Sequence, residues 1–319
     1  MNILITGATG FIGQRLVQGL LKQSTHRLSA LTRRRNSSLP EGVHPILINT
    51  IDGESDYAAS LDGIDVVIHL AARVHKMDDT GDASYPAYKA TNVDGTLRLA
   101  RQAAMAGVKR FIYLSSIKVN GEFTRPGAPF KADDPPHPTD PYAVSKYEAE
   151  RALMLLTQET ALEFVIIRPP LVYGPGVKAN FQKLMEIVRR GIPLPLGAIK
   201  NRRSLVSIDN LVSLIQHCID HTAAKNQIFL VSDDQDLSTT ELLRRIAASM
   251  NRSVFLIPFP TSLLQLIARL LGKEEVTKRL LGDLQVDVTK TKNLLEWQPV
   301  TTLEESLRDT ANNYLQQHK

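Results

Sequence analysis

Tyr142 and Lys146 stand four residues apart in Tyr142-Ala143-Val144-Ser145-Lys146, at the start of a stretch with helical character, so both side chains can face one site. An ammonium beside a phenol favours the phenolate and draws its pKa toward neutrality, which equips Tyr142 to move a proton on or off a substrate hydroxyl. That spacing recurs by chance on amphipathic helices and means little alone. A second element upstream gives it weight. The strand-like segment 2–6 runs into Gly7-Ala8-Thr9-Gly10-Phe11-Ile12-Gly13 and then into a helix. Gly7 suits the tight turn, Gly10 lets a pyrophosphate approach the backbone, and Gly13 lets helix and strand pack closely. Thr9, Phe11 and Ile12 complete the cradle, where the helix N-terminus offers N–H groups and a positive dipole end to phosphate.

Further residues converge on the same ligand. Ser115 and Ser116 follow Leu114 at the end of a predicted central strand, where ligands of open α/β sheets bind. Ser116 can hold the oxygen that Tyr142 addresses, and Ser115 is assigned a backbone or cofactor contact. About 20 residues past the glycines, an NAD site usually places an acid against the ribose hydroxyls. Arg33-Arg34-Arg35 stands there instead, and Arg33 can pair with a 2′-phosphate, which favours NADP over NAD. Asp52, after the third strand, is expected at the adenine amino group. Leu70, Ala71 and Ala72 supply small side chains where a strand end must admit the cofactor.

These groups need a scaffold that brings strand ends together. Short apolar segments at 2–6, 27–32, 44–48, 66–70, 110–115 and 163–168 alternate with helix-length segments around 13–23, 90–106 and 143–159. That alternation predicts a doubly wound α/β fold with a parallel sheet buried on both faces. From Pro169 onward, Pro169-Pro170, Gly174-Pro175-Gly176 and Gly191-Ile192-Pro193 break regular structure, and strand-like segments return at 205–207 and 227–231. The expected division is a dinucleotide-binding domain over 1–168 and 203–232, with a smaller α/β substrate lobe over 169–202 and 233–319.

A chain of 319 residues with 43% hydrophobic and 22% charged residues is that of a globular protein and excludes a disordered or coiled-coil reading. Cys218 is the single cysteine, which rules out an intrachain disulfide and a multi-cysteine metal site; no metal is expected. The longest apolar run, residues 152–156, is far short of the roughly 20 needed to span a bilayer. With no secretory signal at the N-terminus, a cytoplasmic protein is expected. The net charge is +5, but apart from Arg33-Arg34-Arg35 and Lys200-Asn201-Arg202-Arg203 the basic residues are dispersed, which argues against a nucleic-acid partner. Leu263, Leu266, Ile267 and Leu270 share one helical face, expected to pack on the lobe or a second subunit in preference to a membrane surface.

Taken together, these motifs resemble the extended short-chain dehydrogenase/reductase family, in its nucleotide-sugar epimerase and dehydratase branch. The resemblance rests on the glycine segment from Thr6 to Gly13, His69-Leu70-Ala71-Ala72, Asn92-Val93-Asp94-Gly95-Thr96, Ser115-Ser116 and Tyr142 with Lys146. It continues through Arg168-Pro169-Pro170-Leu171-Val172-Tyr173-Gly174-Pro175 to Trp297-Gln298-Pro299, essentially the whole length. It implies a Rossmann fold, a catalytic triad of Ser116, Tyr142 and Lys146, and Asn92 and Pro169 at the cofactor, Asn92 with a structural role. It also implies a UDP-sugar in the lobe, met by Lys118, Asn180, Phe181 and Arg203, and a homodimer.

Departures from the family pattern narrow the reaction. Dehydrating and decarboxylating members place acids where this chain has Ile117-Lys118-Val119, so no general acid stands ready for the C6 hydroxyl. Members that epimerise C3 and C5 need a cysteine and histidine near that strand, and Cys218 lies far from it. What remains is hydride transfer at C4. The expected activity is 4-epimerisation of a UDP-hexose or UDP-N-acetylhexosamine. The alternative is NAD(P)H-dependent reduction of a UDP-4-keto-6-deoxyhexosamine, suggested by Ser115-Ser116-Ile117-Lys118-Val119-Asn120-Gly121-Glu122, with Asn120 where epimerases carry Tyr. A non-catalytic NAD(P)-binding regulator or assembly subunit is the third reading, against which the retained Tyr142 and Lys146 argue.

Overall fold

The computed structural model describes residues 1–23, 26–34, 39–74, 84–272 and 274–318. Seven strands pair in parallel in the order β3-β2-β1-β4-β5-β6-β9. They are β1 (Asn2–Thr6), β2 (Arg27–Thr32), β3 (Val43–Leu47), β4 (Val66–His69), β5 (Arg110–Leu114), β6 (Glu163–Arg168) and β9 (Gln227–Leu230). The order reverses at β1, which pairs Thr6 with Leu31 on one side and with His69 on the other, and this opens a crevice at the carboxyl ends of β1 and β4. The remaining strands, β7 (Leu171–Tyr173) and β8 (Leu205–Ser207), form a separate parallel pair.

Helices cover both faces because neighbouring strand residues point to opposite sides. Ile3, Ile5, Ile68, Ile112, Leu114 and Ile167 pack under α1 (Phe11–Gln23) and α7 (Ile208–His217). Leu4, Val67, Phe111, Tyr113 and Ile166 pack on the other face, under α4 (Thr96–Met105) and α5 (Pro141–Glu159). Two single-turn helices, α2 (Ala58–Leu61) and α3 (Tyr85–Tyr88), flank this layer. A third core gathers Tyr173, Phe181, Leu243, Ile246, Leu307 and Tyr314 from α6 (Ala179–Arg189), α8 (Thr239–Ser249) and α12 (Leu303–Gln317) around β7 and β8. Beyond α8 come α9 (Thr261–Leu270), α10 (Glu274–Leu281) and α11 (Thr289–Leu295). Leu295, which ends α11, and Trp297 pack beneath the large sheet, although both fall in the stretch the sequence assigns to the lobe.

Differences from the sequence expectations are local. The third strand is Val43–Leu47 instead of 44–48, and β4, β5 and β9 each stop one residue short of expectation. The helix expected over 90–106 opens as a π-helical turn, Lys89–Gly95, before α4. Such turns cluster at functional sites, and this one presents Asn92. Helix α5 begins at Pro141, two residues before the expected start. Asp140 caps it, its carboxylate accepting from Ala143 N at 2.7 Å, and proline's missing N–H is harmless in the first turn. Helix α9 forms, but its stripe of Leu263, Leu266, Ile267 and Leu270 faces solvent and Ala268 is its buried residue, so of the two expected partners, the lobe or a second subunit, the lobe does not cover the stripe.

Beneath the crevice lies a buried ion pair. Arg168, at the end of β6, donates from Nη2 to Glu150 Oε2 at 2.6 Å and from Nε to Glu150 Oε1 at 3.0 Å, while its Nη1 reaches Asn120 Oδ1 at 2.9 Å. Neither charged side chain is more than 1% exposed. Glu150→Ala would strand the guanidinium and should lower unfolding free energy by about 3–5 kcal/mol in a urea titration. A loss below about 1 kcal/mol would show that the pair is not integral to the fold.

Candidate active site

The cradle forms where β1 turns into α1. Gly7 adopts φ +72°, and a Cβ there would lie 2.8 Å from Ala71 N. A Cβ on Gly13 would lie 2.1 Å from the Gly7 carbonyl oxygen, so only glycine lets the helix sit this close to the strand. Thr9 and Gly10 are exposed and Phe11 and Ile12 half-buried. The helical ladder starts with Gln14 N donating to Gly10 O, which leaves the preceding N–H groups directed out of the helix end. A dinucleotide pyrophosphate fits this bare, donor-rich backbone. Leu70, Ala71 and Ala72 form the facing wall and are half-buried, with Ala71 N donating to Thr6 Oγ1.

Ser116 ends β5's continuation half-exposed, its Oγ accepting from Lys118 N. Tyr142 stands half-buried in the first turn of α5, and Ser116 is near enough to its phenol to lower its pKa. Lys146 lies one turn on, buried, and donates from Nζ to Leu114 O at 2.7 Å, with the ammonium 4.3 Å from the Tyr113 ring centre. Burial pushes its pKa down to about 7 against the opposing pull of Glu150. The Tyr142 phenol is raised, by burial first and then by Asp140 and Tyr88, with Ser116 working the other way. Loss of water is the first influence on both groups, and Lys146 Nζ is directed at a strand carbonyl.

Other sequence candidates divide. Ser115 Oγ is buried and makes no hydrogen bond to the described protein, while its N–H donates to Ile167 O. Pro169 is buried and its carbonyl accepts from Ile117 N. Arg33 is exposed just past β2; Arg35 lies outside the described residues. Asp52 folds back on its own loop, its Oδ1 accepting from Glu54 N, Ser55 N and Ser55 Oγ, which draws its pKa down and ties the oxygen expected at adenine. Asn92, expected at the cofactor with a structural role, engages Arg73 O, Arg73 N and Ser145 Oγ through its amide and so braces the site.

In the lobe, Asn180 is exposed in the first turn of α6, while Phe181, also expected at the substrate, is buried and stacks its ring on Tyr173 at 5.3 Å in the lobe core. Arg203 donates from Nη1 to Arg279 O and Gly282 O, each at 3.0 Å, where the expected partner was a phosphate. Lys118, expected at the substrate, turns its ammonium onto Asp140 and Glu122 and so steadies the cap of α5.

Three residues escaped the sequence reading. Asp140 was legible as a helix cap before proline. Tyr88, edge-on to Tyr142 at 6.1 Å, and Arg73, over the Tyr88 ring at 5.6 Å, carried no local signal because the pairing is made by tertiary structure. His69 hydrogen-bonds Thr6 and Thr96 and stacks on Tyr113. Burial lowers its pKa to about 3, so it is a neutral strut.

Sheet order, glycine cradle and the Ser-Tyr-Lys cluster together define a dinucleotide-binding α/β enzyme of the short-chain type. The chain belongs to the NAD dependent epimerase/dehydratase family, whose model matches residues 3–232. It is 46% identical to a UDP-glucose 4-epimerase of Vibrio cholerae over 99% of this chain and 96% of that one. A UDP-glucuronic acid 4-epimerase from Bacillus cereus, solved with NAD, superposes with a TM-score of 0.79 at 22% identity over the full length of both chains. A UDP-glucose 4-epimerase from Thermotoga maritima, solved with UDP-glucose, gives 0.76 at 23% identity over the full length of both. These two share the fold.

Tyr142→Phe removes the phenolic oxygen alone and should cut kcat by about 10²–10⁴-fold while NAD affinity stays within about threefold. Turnover near the parent rate would remove Tyr142 from the chemistry. Gly13→Ala should weaken NAD binding at least about tenfold by calorimetry, since no side chain yields to relieve a clash between Cβ and a carbonyl; unchanged affinity would place the pyrophosphate elsewhere.

Proposed function

We propose that this chain is an NAD-dependent 4-epimerase of a UDP-hexose or UDP-N-acetylhexosamine. The observation that carries the reading is the bond from Lys146 Nζ to Leu114 O at 2.7 Å, which ties the helix bearing Tyr142 to the carboxyl end of β5 and supports Tyr142 and Ser116 as one site. Residues 1–168 and 203–232 are assigned to the dinucleotide and 169–202 and 233–319 to the sugar nucleotide. The protein is read as a cytoplasmic homodimer; among the described residues no helix is long and apolar enough to cross a membrane. Gly7, Gly10 and the first turn of α1 would hold the pyrophosphate of NAD, which supplies a hydride acceptor and positive charge when bound. Arg33, exposed past β2, supports a 2′-phosphate, so NADP is proposed as the alternative ligand of the same cradle.

In this mechanism Ser116 Oγ holds the C4 oxygen of the sugar by a hydrogen bond, and Tyr142 Oη takes the hydroxyl proton as C4 gives up its hydride. The resulting 4-keto sugar turns over in the lobe, C4 recovers a hydride on its other face, and Tyr142 returns the proton. Lys146, Asn92 and Asp140 keep the phenol in place through Leu114 O, Ser145 and the α5 cap.

The 4-ketoreductase reading loses part of its basis. Asn120, the residue that favoured it, is buried, accepts from Arg168 Nη1 and donates to Lys131 O. The two reactions differ in cofactor economy, because an epimerase returns the hydride it takes. UDP-glucose and UDP-N-acetylglucosamine supplied with catalytic NAD should each be tested by nuclear magnetic resonance, and at least one should give its galacto epimer with no NADPH consumed. Absence of any epimer, with a UDP-4-keto-6-deoxyhexosamine oxidising NADPH one for one, would install the reductase instead.

A further inference from the structure

The α9 helix presents an apolar face that folding does not account for. Leu263, Leu266, Ile267 and Leu270 recur at the spacing of one helical stripe, and Leu266 and Leu270 are 54% and 78% exposed. Leu264 and Ala268, one turn apart, face the protein, so the helix is apolar on both sides. Leu271 continues the exposed stripe past the helix end, and the segment leading into α9 adds Phe255, 66% exposed, and Ile257. Monomeric proteins rarely leave a contiguous surface of this kind uncovered.

Charge decides what covers it. Residues 251–282 contain Arg252, Arg269, Lys273, Lys278 and Arg279 against Glu274 and Glu275, five positive side chains to two negative, in a chain already at +5. Arg269, Lys278 and Arg279 are exposed. Ser262, Gln265 and Arg269 line the polar flank of the helix, where the Arg269 head is exposed and lies 3.6 Å from Glu274 Oε1, an ion pair weak enough at the surface to leave the cation open to other anions. A second copy docked through the same face would bring two of these basic rims together. An anionic surface would neutralise them. Ten residues of helix, about 15 Å long, with leucines on one side and cations at the edge, match an element lying in the headgroup layer and inserting about 5–10 Å.

The location fits such a role. Helix α10 leads into Gly282, where a Cβ would lie 2.5 Å from Phe123 Cδ1, and Thr124 N donates to Asp283 O at 2.9 Å. The α9–α10 hairpin is thus tied to the segment that follows Ser116 and Lys118, and Arg203 grips the same turn. We infer that the α9 face is a peripheral docking surface for an anionic lipid bilayer, which sets the sugar-nucleotide crevice beside the membrane surface. The inference is independent of which C4 reaction is catalysed.

Flotation of the full-length protein with mixed phosphatidylethanolamine–phosphatidylglycerol vesicles tests it. Binding is expected at low salt, at least about tenfold weaker on phosphatidylcholine vesicles and in about 0.5 M salt. Leu266→Glu with Leu270→Glu should abolish flotation and leave UDP-sugar turnover in solution and the thermal midpoint unchanged. Should that double variant fail to fold, Leu270→Gln alone is expected to weaken binding several-fold. The inference is overturned if the wild type does not float, or if folded variants float as it does. It is equally overturned if Leu266→Glu with Leu270→Glu halves the sedimentation mass of a wild type that ignores vesicles, since the face then belongs to a second copy.

Discussion

Lys146 Nζ donates to the carbonyl of Leu114 at a position 2% exposed, and that bond joins the helix bearing Tyr142 to the strand whose continuation bears Ser116. Tyr142 stays at the end of β5 only if α5 keeps its height and rotation against that strand. Several other features serve the same constraint. Asp140 starts the helix at the right residue and is itself held by Lys118. Asn92 pins Ser145 from the π-helical turn. Glu150, one turn beyond Lys146, brings Arg168 and through it β6. A charge enclosed in this way must be matched on every side, because a buried ammonium without partners is costly. Tyr113 supplies a ring face and His69, kept neutral, stacks on that ring from beyond.

Much of the scaffold was legible because its causes are local. Strand-length apolar runs, helical spacing and three glycines at fixed offsets each report a short-range requirement, and the seven-stranded parallel sheet follows from their alternation. The cradle was legible for the same reason: Gly13 is demanded by a backbone contact only six residues away. Legibility ends where a side chain has competing partners. Lys118, Asp52 and Arg203 each have the chemistry of a ligand group, yet each is engaged by an acid, a loop N–H or a helix-end carbonyl that no sequence window reveals. Phe181 fails for another reason, since an aromatic residue in an amphipathic helix serves core or site equally well until its neighbour, here Tyr173, is known.

The titration behaviour of the pair is a further lesson in context. Spacing suggests that lysine and tyrosine exchange electrostatic help directly. In the folded protein the first influence on each is loss of water, which works against charge on both, so the phenol rises and the ammonium weakens.

The sheet has one connection unlike the others. Strands β1 to β6 are complete by Arg168, but β9, which pairs with β6 from Val165 to Arg168, begins at Gln227, after β7, α6, β8 and α7. During synthesis on the ribosome the open edge of β6 therefore waits for residues 169–226 to emerge, a delay on the order of several seconds at cellular elongation rates. An unpaired strand edge, here apolar from Phe164 to Ile167 between Glu163 and Arg168, is a template for wrong pairing over that interval. Vectorial synthesis thus makes residues 169–226 a timekeeper for the sheet, which is sealed only once β7, α6, β8 and α7 have been made and before α8 and α12 complete the lobe core.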